Sequence, residues 1–169
     1  MSASAASSQT DWKAKLSATL PAFGHRNWIV VADSAYPEQS NPGIETIVSG
    51  AEQIPVVKHV LDAITSSGHV RAKVYADKEL AFVPEADAPG VDDYRRALHA
   101  ALHGAHVEYI PHEQIIRQLE QAAQIFRILL IKTDMTIPYT SVFFELDCGY
   151  WNADAEERLR EKIASAVKK

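Results

Sequence analysis

Cysteine is nearly absent: Cys148 stands alone in a chain of 169 residues. One thiol can form no intrachain disulfide framework and cannot supply the usual multi-cysteine metal site. Clusters of basic residues are also missing, and the formal charge is −5. Both features exclude a general nucleic-acid binder. No apolar run reaches the roughly 20 residues that a membrane-spanning helix needs. The opening Met1 to Thr10 has neither the basic start nor the apolar core of a secretory signal, and its Ser/Ala-rich composition predicts a disordered tail over 1–10. These absences point to a soluble, cytoplasmic protein with no nucleic-acid and no membrane partner. What remains is 47% hydrophobic and 23% charged, the balance of a globular chain with enough length to bury a core.

Apolar periodicity divides residues 11–169 into alternating elements of a single domain. Trp12, Leu16 and Leu20 recur every four residues and predict a short helix ending at Pro21. Trp28 to Ala32 is a short, β-branched run suited to a buried strand. Ile44 to Val48 reads as a helical turn, and Ile54, Val57, Val60, Leu61 and Ile64 form the stripe of a longer helix stopped at Ser66-Ser67-Gly68. A strand is expected over Val70 to Ala76, a helical turn over Asp77 to Phe82, and a helix through Tyr94, Leu98 and Leu102. A third strand covers His106 to Ile110. Pro111 then opens a helix that buries Ile115, Ile116, Leu119, Ala122, Ala123 and Phe126. Strands at Arg127 to Ile131 and Ser141 to Leu146 follow, with an extra C-terminal helix at 153–167. Strands alternating with helices predict a three-layer α/β/α domain with a largely parallel sheet.

The polar residues at the strand ends are the candidates for chemistry. His25 precedes the Trp28 to Ala32 run and Asp33 follows it, at the end where α/β folds gather ligands. On their own, His25 also reads as a loop histidine and Asp33 as a turn or capping residue. His112 begins a helix, where the dipole favours neutral imidazole. His99, His103 and His106 have partly metal-like spacing, but Gly104 breaks the helix and no carboxylate or cysteine shares the spacing, so no metal is expected. Cys148 reads as a small buried residue.

Three separated stretches carry a family resemblance. Gly24-His25 through Ala32-Asp33 and Pro37 resembles a GH…D-A-x-x-P segment. Tyr109-Ile110-Pro111-His112-Glu113-Gln114 resembles a strand-to-helix segment carrying a His-Glu pair. Ile131 to Val142 is similar to R-[ST]-G-E-x-x-P-Y-[AG]-N-[VI]. In this order and spacing, over about Leu16 to Phe144, they resemble the ribose pyranase and fucose mutarotase (RbsD/FucU) family. The resemblance implies an RbsD-like fold and a cofactor-free monosaccharide isomerase that interconverts anomers or pyranose and furanose forms of a free sugar such as ribose or fucose. It also implies a homo-oligomeric ring, pentameric or decameric, with sites near subunit boundaries. Carried over by position, His25 and His112 are the acid/base histidines, Asp33 orients His25, and Lys132, Tyr139 and Ser141 bind substrate. Asp134, Met135 and Ser141 replace the motif's Gly, Glu and Asn, and the chain from Gly149 onward exceeds the family's usual end. A non-catalytic, ring-forming monosaccharide binder is the alternative.

The chemistry suits histidine. Opening a hemiacetal removes a proton from the anomeric hydroxyl and delivers one to the ring oxygen; closure reverses both. Imidazole, with an unperturbed pKa of about 6.5, serves either role near neutrality.

Overall fold

The computed structural model describes residues 11–167; the tail expected over 1–10 lies outside the described residues. Six strands form one sheet: β1 (Trp28–Ala32), β2 (Ile44–Val48), β3 (Val70–Asp77), β4 (Val107–Ile110), β5 (Ile128–Lys132) and β6 (Val142–Cys148). Their order across the sheet is β2-β5-β1-β6-β3-β4. Pairing is parallel everywhere except along β6, which runs antiparallel to both β1 and β3. The largely parallel sheet is therefore mixed, with its one reversed strand in the middle. β1 is buried along its whole length, as its unbroken apolar run requires.

Alternation along the strands feeds two cores. Ile29, Val31, Leu129, Ile131 and Phe144 face α1 (Trp12–Thr19), α2 (Gln53–Ser67) and α3 (Val91–Ala101). Val30, Ala32, Ile128, Leu130 and Phe143 face α4 (His112–Ala123), which contributes Ile115, Leu119 and Ala123. Asp11 caps α1 by accepting the Lys13 and Ala14 amides, a role open to its short carboxylate. Gly68, at φ 72°, ends α2 in the left-handed conformation that glycine adopts freely. Gly43 has no room for a side chain, because an added Cβ would collide with the Ala123 carbonyl.

Three expectations need correction. Ile44–Val48 is a strand, parallel to β5 in full register; burial of Ile44 and Ile47 three residues apart imitates one helical face, while the β-branched side chains favour extension. Phe126 lies beyond α4, partly exposed, with the Arg26 guanidinium 5.9 Å from its ring centroid. Cys148 is partly exposed rather than buried. The final helix, α5 (Ala153–Val167), forms over the expected residues; it buries no side chain over 153–166, leaving Leu159 and Ile163 open to solvent.

A buried polar knot ties the β5–β6 connection to α2 and α3. Gln53 is fully buried and donates to the Tyr94 hydroxyl and the Thr140 carbonyl. Thr133 donates to Gln53 Oε1 at 2.8 Å, and Tyr94 donates to the Thr140 carbonyl at 2.7 Å. Each of these groups is costly to bury unpaired. The knot thus fixes both ends of the 133–140 segment.

Candidate active site

Because five strands share a direction, their carboxyl ends share an edge. Asp33 leaves β1 there, Asp77 ends β3, His112 follows β4, and the 133–141 connection crosses above β5 and β6. A cleft of about 890 Å³ opens at this edge, lined by Asp33, Tyr36, Glu38, His112, Glu120 and Tyr139 among others. This is the place where open α/β sheets bind ligands. Asp33 Oδ1 accepts the Ala35 amide at 2.9 Å, so the carboxylate also closes its own turn, as the plainer reading of the residue expects. Tyr36 is almost fully buried, and burial, helped by the charges of Asp77 and Asp33, pushes its hydroxyl up to about 12. It therefore stays a neutral hydrogen-bonding group on the cleft wall.

His112 is held from several sides. Its Nδ1 lies 3.0 Å from Asp77 Oδ1. Its backbone amide is shared by both Glu79 oxygens, at 3.1 and 3.0 Å. The Tyr139 ring meets it edge-on, centroids 5.5 Å apart. Tyr139 itself sits at φ 59°, a conformation rare for a bulky residue and often found at functional sites. The hydrogen bond that Asp77 accepts raises the His112 pKa against the opposing effect of burial, with Asp77, Glu79 and Glu113 adding charge. The helix dipole, expected to favour neutral imidazole here, is outweighed by the close carboxylates, which favour the protonated form. Asp77 itself is raised by desolvation, the hydrogen bond and charge of His112 pulling the other way.

His25 lies at the opposite edge. The five residues of β1, at roughly 3.3 Å each, put about 16 Å of strand between it and Asp33. Asp33 therefore does not orient His25 within one chain. Asp147, at the far end of β6, takes that place: its Oδ1 lies 2.9 Å from His25 Nδ1. Arg26 Nε donates to His25 Nε2 at 3.1 Å; an accepting Nε2 leaves the Nδ1 proton for Asp147. Arg71 also grips Asp147, at 2.7 Å. Partial burial alone would raise the Asp147 carboxyl, but Arg71, the Cys148 amide and Lys73 hold it at about 2 instead of 3.8. A depressed carboxylate contributes stability that is present above its unfolded value and lost as pH falls through the folded one. Arg71→Ala is expected to raise the Asp147 midpoint and to start acid unfolding at higher pH, both readable by carboxyl-carbon NMR and circular dichroism. An unchanged midpoint would remove Arg71 as its cause.

The remaining candidates divide. Tyr139 and Asp33 join His112 in the cleft, whereas Lys132 and Ser141 do not line it. Lys132 ends β5, and its carbonyl accepts both the amide and the hydroxyl of Ser49. Ser141 is buried. Met135 packs against the larger core, and its carbonyl accepts the Ser34 amide, so the motif's missing Glu is replaced by an apolar anchor for the cleft loop. Among the described residues no three His, Cys, Asp or Glu side chains are grouped to hold a metal, and no helix is long and apolar enough to cross a membrane. Asp77, Glu79 and Tyr36 are site residues that the sequence reading missed. Their local pattern, a strand end and a turn, carries no sign of a partner 35 residues away.

Comparison with known proteins agrees with this architecture. A curated D-ribose pyranase from Geobacillus kaustophilus is 26% identical over 143 residues, 83% of this chain and 93% of that protein. The structure of Bacillus subtilis RbsD complexed with D-ribose superposes with a TM-score of 0.53 at 20% identity, covering 79% of this chain and 91% of that one. Fucose mutarotase from Streptococcus pneumoniae, in complex with L-fucose, gives a TM-score of 0.53 at 18% identity over 82% of this chain and 95% of that one. These two structures share the fold. The family model described as the RbsD / FucU transport protein family matches residues 12–148, from the first helix to the end of β6. The chain belongs to the RbsD/FucU family.

Proposed function

We propose that the protein is a cofactor-independent monosaccharide isomerase, exchanging the anomers or ring forms of a free sugar by general acid/base catalysis. The observation that carries the proposal is His112, seated in the cleft at the carboxyl edge of the sheet with one nitrogen on a buried carboxylate. Its other nitrogen is left for substrate. In the ring-opening direction, Nε2 takes the anomeric hydroxyl proton while a second group protonates the ring oxygen; the electron pair of the broken C–O bond moves to that oxygen. Asp33 accepts hydrogen bonds from sugar hydroxyls, and the Tyr139 ring covers a sugar face. The relatives' names make D-ribose and L-fucose the first sugars to test.

The second proton carrier is His25, supplied by a neighbouring copy in a homo-oligomeric ring. Charge favours that docking. The cleft edge carries Asp33, Glu38, Glu113 and Glu120, whereas around His25 the cations Arg26, Arg71 and Lys73 outnumber the carboxylates Asp147 and Glu145. Complementary charge of this kind fixes register between head-to-tail subunits. The alternative, a sugar binder without catalysis, is favoured by the single imidazole lining each cleft.

Saturation-transfer NMR on a panel of free sugars tests both. Accelerated exchange supports the isomerase, and binding without exchange supports the alternative. Silence toward every sugar defeats both. Mixed rings test the shared site: His25→Ala and His112→Ala chains, each inactive alone, should regain about a quarter of wild-type exchange when co-refolded in equal amounts. One half of the boundaries receive an intact His25, and one half of those meet an intact His112. No recovery would place both histidines in one subunit's site or remove one of them from it.

A further inference from the structure

We infer that Asp77 is the positioning residue of His112, holding the imidazole with its proton on Nδ1 and its basic Nε2 toward the cleft, while Glu79 fixes the backbone that carries it. The sheet explains how two residues so far apart in sequence meet. β3 and β4 are parallel neighbours in a register that sets Asp77 beside Ile110. Two residues later the chain reaches His112, the first residue of α4. Pro111, at the N-cap, has no side-chain oxygen with which to satisfy the helix start. Glu79 performs that task from the β3 side, with both carboxylate oxygens on the His112 amide. One short segment, Asp77-Lys78-Glu79, therefore clamps the histidine by side chain and by main chain together.

Burial makes a purely structural role a poor account of Asp77. Its side chain is fully buried, and Oδ2 has no hydrogen-bond partner among the described residues. A carboxylate left half-satisfied away from water destabilises a fold that an amide or an apolar residue would serve better. What the carboxylate alone provides is an acceptor-only partner for Nδ1, which forces the proton there and leaves Nε2 as the base. Tyr139, edge-on to the ring, removes the remaining rotational freedom. The groups facing the pair are Glu79 after β3, Asp33 after β1, Glu113 on α4 itself, and the Tyr36 and Tyr139 side chains. The charged side chains among them are all acidic, and Glu79 and Glu113 favour a protonated imidazole. Removing the Asp77 charge therefore moves the His112 titration toward lower pH.

The inference rests on His112 being a proton carrier, but its first test requires no turnover. Long-range proton–nitrogen NMR of the labelled wild-type protein without sugar, above the His112 midpoint, should show the Nδ1–H tautomer. Finding Nε2–H instead would overturn the inference without any variant. Asp77→Asn keeps the shape and removes the obligatory acceptor. It should mix the tautomers, lower the His112 midpoint and leave KM for a responsive sugar nearly unchanged. The pH-independent exchange rate should fall by between about tenfold and the ~10⁴-fold that a wrong tautomer costs a comparable Asp–His pair. The acid limb of the rate profile should move to lower pH by the same amount as the NMR midpoint. An Asp77→Asn protein with wild-type tautomer and midpoint would refute the positioning role. Wild-type protein that exchanges no sugar, yet changes tautomer on Asp77→Asn, would refute the isomerase alone.

Discussion

His112→Ala is expected to slow anomer exchange at saturating sugar by about 10²–10⁴-fold, the usual contribution of a positioned acid/base group. The loss should fall on the rate rather than on sugar affinity, because Asp33 and Tyr139 remain on the cleft wall. His99→Ala serves as the control, since His99 is exposed on α3 and should leave exchange unaltered. The His112→Ala variant should also unfold more easily, because Asp77 loses the one hydrogen bond its carboxylate makes among the described residues and stays buried. A raised histidine pKa contributes stability that is complete below the unfolded value near 6.5 and fades as pH rises through the folded value. That part of the difference between wild type and variant should accordingly shrink with rising pH. Exchange at the wild-type rate in a folded His112→Ala protein would remove His112 from the chemistry.

Phe143→Ala is expected to cost about 3–5 kcal/mol of stability, the range for deleting a fully buried aromatic ring. For a chain of this size that lowers the melting temperature by about 2–4 °C per kcal/mol. Phe143 has no solvent exposure and lies on β6 between Val30 and Tyr75, on the face that packs α4. Phe144, equally buried, faces the other core, and Phe144→Ala should cost a similar amount. Their consequences for the site should differ. Phe143 supports Ile115 and Leu119 of the helix that begins at His112, so its loss should shift the His112 ring signals; loss of Phe144 should not. Equal disturbance of His112 by both variants would show that the two faces do not act separately.

The difference between what the chain declares and what it conceals follows the range of the interactions. α2 and α4 are legible because their apolar stripes are a local consequence of helical pitch. β1 and β5 are legible because strands buried on both faces must be apolar throughout. β2 is ambiguous, since Ile44 and Ile47 satisfy either period over so short a run. The motif positions of His112, Asp33 and Tyr139 were visible, and the cleft brings these three together. Within one chain Asp33 and His25 stand at opposite edges of the sheet, because residues on either side of a strand are neighbours in sequence and opposites in space. Asp77 could not be found at all by local reading: its meaning depends on the β3–β4 register, which no window around residue 77 contains.

The reversed strand β6 has a consequence for how the protein is made. It is the last of the described strands and the central seam of the sheet, joining β2-β5-β1 on one side to β3-β4 on the other. Until residues 142–148 have left the ribosome, β1 and β3 each present an unpaired edge, and the two half-sheets have no strand between them. Open edges of this kind recruit other chains. A stop codon between Lys132 and Val142 would leave the cleft residues contributed by β1 and β3 on half-sheets with no strand between them. Truncation after Gly149 removes α5 and leaves the seam whole.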